Sequence, residues 1–321
     1  MSMSRRDVVV SGAVAATVLG LNGPIAFISA ATARELPEAG QGFSRIAVGD
    51  AELIMVYDGV NRRPIGDDFI KGVSGAEIKA ALAAAGRDGD VIPITFTVPI
   101  VKVGGRTIMF DAGTGGQLAP TAGLFDGNLQ AAGVTKDSVD TIIVTHFHPD
   151  HIFGLMAKDT NEQIYPNAQI IVPKAEIDYW TDPASVAAMP DGRKGLANRI
   201  GATLAKWENV VRIADGAEVA PGITAVSAYG HTPGQTAYRI ASGASQAMVL
   251  GDVANVPALF VANPEWQVMF DMDGPMAVAT RKRIFDMAIA DGLLVTGYHF
   301  GFPGAGRLEK DGSGYAFVQA A

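Results

Sequence analysis

The chain has 321 residues, of which 48% are hydrophobic and 18% are charged, so it carries enough apolar side chains for a sizeable buried core. Its formal net charge is −8 and no run of more than three Lys or Arg residues follows residue 33, which argues against a nucleic-acid partner, since that affinity comes from clustered basic charge. The chain contains no cysteine, so disulfides, thiolate metal ligands and a cysteine nucleophile are excluded.

The first 33 residues have the composition of an export signal. Arg5 and Arg6 precede an apolar run that ends in the small residues 31–33, which is typical of a twin-arginine signal cleaved after Ala33. Two alternatives are a Sec signal, because the residues after the arginines fit the twin-arginine pattern loosely, and a retained membrane anchor. Glycines and a proline inside the run disfavour a stable spanning helix. We therefore expect an exported, periplasmic protein with no stable membrane anchor after cleavage.

From Phe43 onward, short apolar runs alternate with turn signals. Strand pairs are predicted over residues 43–59, with a turn at Gly49-Asp50, and over residues 94–113, with a turn at Gly104-Gly105. The other predicted strands are 141–146, 168–173, 223–231, 236–240, 247–253 and 293–299, and the predicted helices are 127–133, 174–180, 193–208 and 275–292. No linker separates the halves, so we expect one domain over residues 34–321, with sheets packed together and helices outside.

The chain has five histidines, and each follows an apolar strand. They are His146, His148, His151, His231 and His299. Two aspartates, Asp111 and Asp252, also lie at predicted strand ends. Sheet proteins place functional groups at such positions, so these side chains are candidates for one common site.

The stretch "THFHPDH" predicts a metal site. His146 and His148 are two residues apart on an extended segment, so both imidazoles project from one face. Pro149 ends the strand and turns the chain, which brings Asp150 and His151 to a neighbouring position. Imidazole nitrogens and carboxylate oxygens suit zinc. A lone histidine is more often structural, but the whole set favours metal binding.

The motif resembles the H-x-H-x-D-H signature of the metallo-β-lactamase superfamily. The stretches "FDAGTGG", "GHTPGQTAY", "LGD" and "GYHFGFPGAGRLEKDGSGYAFV" occur in the family's order, and together they span residues 43–318. In detail the chain is most similar to the exported branch that contains methyl parathion hydrolase and related lactonases. The resemblance implies an α/β fold, the four-layer αββα sandwich of this superfamily.

The resemblance also implies the metal ligands, position by position. The first metal would be held by His146, His148 and His231, the second by Asp150, His151 and His299, with Asp252 bridging both. Both would be divalent cations, zinc first, although the same ligands accept manganese, iron or cobalt. Asp111 would orient a ligand or the motif loop, although a turn aspartate would look the same. Trp180, and with it Phe125, would line the substrate pocket, although core packing is the usual role of such aromatics.

The implied reaction is metal-dependent hydrolysis of a small-molecule ester or lactone, with activated phosphotriesters of the methyl parathion type as further substrates. A hydroxide shared by both metals would attack the substrate, and Asp150 would pass a proton to the leaving group. One alternative is β-lactam hydrolysis, against which Asp252 argues, since the di-zinc lactamases typically lack that carboxylate. The other is a non-catalytic metal-binding protein on the same fold, although no ligand is missing. The branch also suggests a homodimer.

Overall fold

The computed structural model describes residues 41–320 together with the short strand Phe27–Ile28. Apart from that strand, the predicted export signal over residues 1–33 lies outside the described residues, so its cleavage, the periplasmic location and the domain boundary at residue 34 stay predictions. Within the described part of the chain, no helix combines the length and the apolar composition that a membrane crossing requires.

Strands make up most of the regular structure. The described residues form β1 (Phe27–Ile28), β2 (Phe43–Val48), β3 (Ala51–Pro64), β4 (Val91–Val103), β5 (Arg106–Phe110), β6 (Thr141–Ile143), β7 (Gln169–Pro173), β8 (Val210–Ile213), β9 (Glu218–Ala220), β10 (Ile223–Ser227), β11 (Thr236–Ser242), β12 (Ser245–Val249), β13 (Leu294–Thr296), β14 (Ala305–Asp311) and β15 (Gly314–Ala320). The helices are α1 (Gly75–Ala84), α2 (Phe125–Ala131), α3 (Pro149–Ile152), α4 (Lys174–Thr181), α5 (Pro183–Ala188), α6 (Asp191–Ala202), α7 (Pro257–Phe260) and α8 (Gly274–Ala290).

The strands form two sheets. One has the order β2-β3-β4-β5-β6-β7-β8, and the other has the order β1-β15-β14-β13-β12-β11-β10-β9. In the first sheet β5, β6, β7 and β8 run parallel, and in the second β12 and β13 run parallel. Parallel neighbours end at the same edge of a sheet, so the segments that follow β5 and β6, and those that follow β12 and β13, lie side by side.

The buried side chains divide into layers because successive residues of a strand point to opposite faces. Ile143 packs in the cluster between the two sheets, whereas its neighbour Ile142 packs in the larger cluster that also contains residues of α1, α4 and α8. Between the sheets, the rings of Phe110 and Tyr238 lie 5.7 Å apart. The predicted αββα sandwich is therefore confirmed.

Most predicted elements are present, with bounds that are shifted by a few residues. Both predicted hairpin turns are confirmed, and their glycines have positive φ, for example +57° at Gly104 and +77° at Gly105. The helix predicted over 193–208 ends at Ala202, because Thr203 leaves the helical region (φ −118°, ψ −93°). Helix α1 was not predicted, although Ser74 and Glu77 form a capping box at its start.

Candidate metal centre

The motif loop begins where β6 ends. His146 follows this strand, and His148 is the extended residue before α3 (φ −67°, ψ 152°), with Pro149 as the first helical residue. Asp150 and His151 lie in the single turn of α3. Pro149 therefore turns the chain as predicted. The candidate ligands His146 and His148 lie before this turn, and Asp150 and His151 lie within it.

The structure brings all seven predicted metal ligands together. They form three overlapping groups in which the ligand atoms lie within 4.8 Å of one another. These groups are His146, His148 and His231; His146, His151 and Asp252; and Asp150, His151 and His299. The first and third groups are the two ligand sets that the resemblance implies, and the second group connects them through Asp252.

Unsatisfied polar atoms at the centre of the cluster test whether these residues fit a cation. His146 Nε2, His151 Nε2 and Asp252 Oδ1 are buried without a hydrogen-bond partner in the structure. A buried polar atom without a partner costs free energy, and the nitrogen and oxygen lone pairs collected here are those that divalent transition metals accept. The donor set therefore fits divalent cations.

Hydrogen bonds orient four of the five histidines. In each of them Nδ1 contacts a neighbouring oxygen, so Nε2 is the atom left for a metal. These contacts join His146 to Thr145 Oγ1 (3.0 Å), His151 to Asp111 Oδ2 (2.8 Å), His231 to Asp271 Oδ1 (2.8 Å) and His299 to the Thr95 carbonyl (2.7 Å). His148 differs, because its Nδ1 lies 2.9 Å from His231 Nε2 and so itself faces the cluster.

A family model described as the metallo-beta-lactamase superfamily matches residues 98–291, which is more than half of the chain. The chain belongs to this superfamily. The matched range contains six of the seven candidate ligands, and His299 follows it.

Solved structures agree with the assignment to the metallo-β-lactamase superfamily. The chain is 25% identical to hydrolase AbOPH of the beta lactamase superfamily, with a TM-score of 0.80 and coverage of 87% of this chain and 98% of that chain. It is also 25% identical to AidC, a dizinc quorum-quenching lactonase, with a TM-score of 0.79 and the same coverage. A probable metal-dependent hydrolase from Staphylococcus aureus, 20% identical, has the same fold (TM-score 0.67, covering 86% of this chain and 99% of that chain). A search of curated proteins found no match.

These findings make the protein a metal-dependent hydrolase of the metallo-β-lactamase superfamily, similar to its lactonase-type members. The two matches at 25% identity cover nearly the whole of the related chains. The predicted fold family and its branch are thereby confirmed.

Asp111 lies where the resemblance predicts a carboxylate that orients the site. Its Oδ1 accepts the Thr145 backbone N–H at 2.7 Å, and its Oδ2 accepts the Thr145 hydroxyl at 2.8 Å and faces His151 Nδ1. Asp111 has a positive φ of +63°, a conformation that is strained for most side chains and more common for Asp and Asn. The contacts agree with an orienting role, which stays a prediction.

Two buried residues behind His231 were missed by the sequence analysis. Asp271 accepts from His231 Nδ1, and Arg281 Nη2 lies 3.7 Å from Asp271 Oδ2. Arg281 Nε also donates to the Val253 carbonyl, next to Asp252. The sequence gives no local signal for this arrangement, because His231 lies 40 residues before Asp271 and Arg281 lies 10 residues after it.

Burial and nearby carboxylates act in opposite directions on different histidines of the cluster. Burial, together with neighbouring imidazoles, lowers the pKa of His146 and of His148 well below the usual range. Burial alone would also lower the pKa of His151, but the carboxylates of Asp150 and Asp252 outweigh it and raise that pKa well above the usual range. The carboxylates are therefore concentrated around His151 and not around His146 and His148.

The two aromatic residues predicted to line the substrate pocket are buried. Trp180 has no exposed surface, packs in the larger hydrophobic cluster, and its indole N–H donates to Glu176 Oε1 at 2.8 Å. Phe125 is 4% exposed and lies beside a cavity of about 150 Å³ that is also lined by Asp58 and Phe153. These surroundings favour core packing, and the pocket assignment of both stays a prediction.

Proposed function

We propose that this hydrolase binds two divalent cations and cleaves esters and lactones. The position of Asp252 carries the proposal. Its Oδ1 lies 3.3 Å from His151 Nε2, and its Oδ2 lies 3.0 Å from His299 Nε2 and 3.3 Å from His231 Nε2. One carboxylate therefore reaches histidines of both ligand sets, as a residue shared by two cations must.

Each ligand set would hold one cation, preferably zinc: the histidines at 146, 148 and 231 the first, and the residues at 150, 151 and 299 the second. Bound divalent cations supply Lewis acidity, which polarises a carbonyl or phosphoryl oxygen and lowers the pKa of water. The protein's own part is to hold the ligands in place. Asn255 Nδ2 donates to Asp252 Oδ2 at 3.2 Å, and the Tyr298 hydroxyl donates to the Asp150 carbonyl at 2.8 Å.

A lactone is the preferred substrate class because of one relative. AidC was solved as a dizinc quorum-quenching lactonase in complex with the product N-hexnoyl-L-homoserine, and this chain covers 98% of it at 25% identity. An activated phosphotriester is the second candidate substrate, since its phosphoryl oxygen is open to the same polarisation.

A chelator-controlled substrate panel tests the proposal. It contains aryl esters, N-acyl-homoserine lactones, a paraoxon-type triester and nitrocefin, each assayed on zinc-loaded protein, after chelation and after zinc is restored. We expect lactone or ester turnover that chelation abolishes and zinc restores. Turnover of nitrocefin alone would favour the β-lactamase alternative, and no chelator-sensitive turnover at all would favour a non-catalytic metal-binding protein.

Asp150 is expected to carry the leaving-group proton. Its Oδ2 lies 3.4 Å from His299 Nε2 and 3.5 Å from His151 Nε2, at the edge of the cluster, and its side chain is 17% exposed. Asp150→Asn should reduce kcat on alkyl esters and lactones about tenfold more than on nitrophenyl esters, because nitrophenolate leaves without a proton. The ratio of the two kcat values is the measurement, since it cancels any common loss of metal. Equal losses on both substrates would contradict the proton role.

The export signal, the periplasmic location, the single domain over 34–321 and the homodimer belong to this proposal as its physiological setting. They rest on the sequence and on the branch resemblance. Amino-terminal sequencing of the secreted protein and its mass in solution test them.

A further inference from the structure

Glu176 is a buried carboxylate that the proposed reaction does not use. It lies in the first turn of α4, directly after β7, and has no exposed surface. Because β7 runs parallel to β6, the start of α4 lies at the same sheet edge as the motif loop. Burying a carboxylate is costly unless hydrogen bonds compensate it, so its partners indicate why it is there.

Both oxygens of Glu176 accept two hydrogen bonds each. Oε1 accepts from the Phe147 backbone N–H at 2.9 Å and from the indole of Trp180 at 2.8 Å. Oε2 accepts from the Thr232 hydroxyl at 2.7 Å and from the Gly234 backbone N–H at 2.8 Å. Phe147 lies between His146 and His148, and Thr232 follows His231 directly.

The loop after His231 also packs tightly against α4. A Cβ atom at Gly234 would lie 2.0 Å from the Glu176 backbone nitrogen and 2.4 Å from its Cα, a distance that no side chain tolerates. Glycine at 234 therefore lets this loop approach the start of α4 closely enough to reach the carboxylate. The backbone of Gly234 therefore packs directly on the backbone of Glu176, and the Glu176 side chain contacts the motif loop as well.

We infer that Glu176 is a positioning residue that fixes the His146–His148 segment and the His231 loop relative to each other, and so sets the geometry of the first ligand set. This inference rests on the metal sites of the proposed function. The three histidines come from segments more than 80 residues apart, and Glu176 contacts both segments at positions adjacent to the ligands. In the second ligand set, His151 contacts a different buried carboxylate, Asp111.

Glu176→Gln tests the inference with almost no change in shape. The amide nitrogen of Gln must replace one oxygen, and at the Oε1 position it would face two N–H donors that cannot accept. At the Oε2 position it would face the Thr232 hydroxyl, which is able to rotate and accept, and the Gly234 N–H, which is not. We therefore expect the amide nitrogen at Oε2, with the His231 loop displaced and the motif loop still bound.

The experiment measures metal retention. Zinc-loaded wild-type and variant proteins are dialysed against graded concentrations of a chelator, and bound zinc per chain is determined by mass spectrometry. We expect Glu176→Gln to lose one of its two zinc ions at about tenfold lower chelator concentration than the wild type, the low end of the range for losing a direct partner of a ligand, because Glu176 acts through residues adjacent to the ligands. The visible absorption of the cobalt-loaded variant should change as well, because it reports coordination geometry.

Ile177→Ala is the matched control. Ile177 is the next residue of α4, is equally buried and packs only in the hydrophobic core. The Ile177→Ala variant should have a lower thermal unfolding midpoint than the wild type but should retain both zinc ions equally well. If Glu176→Gln retains zinc as tightly as Ile177→Ala and has an unchanged cobalt spectrum, Glu176 contributes only to folding and the inference is wrong.

Thr232→Val decides the question if Glu176→Gln does not fold. It removes one donor to Oε2 and preserves side-chain shape, so we expect the same one-ion loss at a smaller shift in chelator concentration. Wild-type retention in this variant would then overturn the inference. The readout is independent of substrate: if the wild type binds two zinc ions and hydrolyses nothing, the proposed function fails and the inference remains standing.

Discussion

Asp252→Ala should abolish most of the hydrolytic activity, with a fall in kcat/KM of roughly 10³-fold or more on any substrate that the wild type cleaves. The carboxylate of Asp252 lies within 3.3 Å of ligand nitrogens from His151, His231 and His299, so its removal deprives both ligand sets of the same group. The variant should also bind fewer than two zinc ions per chain. Steady-state kinetics and metal analysis on the same samples are the measurements.

Asp215→Ala is the control for this change. Asp215 is an exposed aspartate that accepts a hydrogen bond from the Tyr229 hydroxyl, away from the ligand groups. It should retain wild-type kcat/KM and both zinc ions. If Asp252→Ala retained two zinc ions and activity within tenfold of the wild type, a shared carboxylate would not be needed and the dinuclear proposal would be contradicted.

Asp111→Asn should weaken retention of the second metal by about 10- to 100-fold, the usual cost of losing a carboxylate partner of a ligating histidine. The amide must place its nitrogen at one of the two oxygen positions. At Oδ1 it would meet the Thr145 N–H, and at Oδ2 it would donate to His151 Nδ1. The second arrangement shifts the proton of His151 to Nε2, the atom that faces the cluster, and so blocks it as a ligand.

The same dialysis against chelator measures the Asp111→Asn effect. Backbone strain is not the cause, since Asn tolerates the positive φ of this position as well as Asp does. Asp140→Asn is the control, because Asp140 also accepts a backbone N–H, from Thr107, but lies before β6 and is exposed. Unchanged zinc retention in Asp111→Asn would mean that Asp111 serves only the turn after β5.

The ligands could be predicted from the sequence because their spacing is local or falls at strand ends. His146, His148, Asp150 and His151 lie within six consecutive positions, and the strand pattern places His231 and His299 at sheet edges. The structure brings these residues into one cluster. Such positions can be located from the sequence alone, because hydrophobic periodicity marks where a strand ends.

The residues that orient the ligands could not be predicted in the same way. Glu176 and Asp271 look like ordinary polar residues of a helix and a loop, and the ligand segments that they contact are distant in sequence. Trp180 illustrates the same limit, because the sequence suggests a pocket aromatic, whereas the structure shows a buried side chain hydrogen-bonded to Glu176, and its pocket role stays a prediction. Whether a side chain faces substrate or core depends on how helices pack on the sheet, which periodicity does not reveal.

The site lies at strand ends of both sheets, and this placement has a mechanical consequence. The motif loop belongs to the sheet of β2 to β8, whereas His231, Asp252 and His299 follow strands of the other sheet. Each ligand set combines motif-loop residues with a histidine that follows a strand of the other sheet, so an ion bound by either set would link the two sheets, and its binding energy would stabilise their packing. The folded state would gain stability with the logarithm of free zinc concentration, so removal of the metal would lower the free energy of unfolding of the whole sandwich.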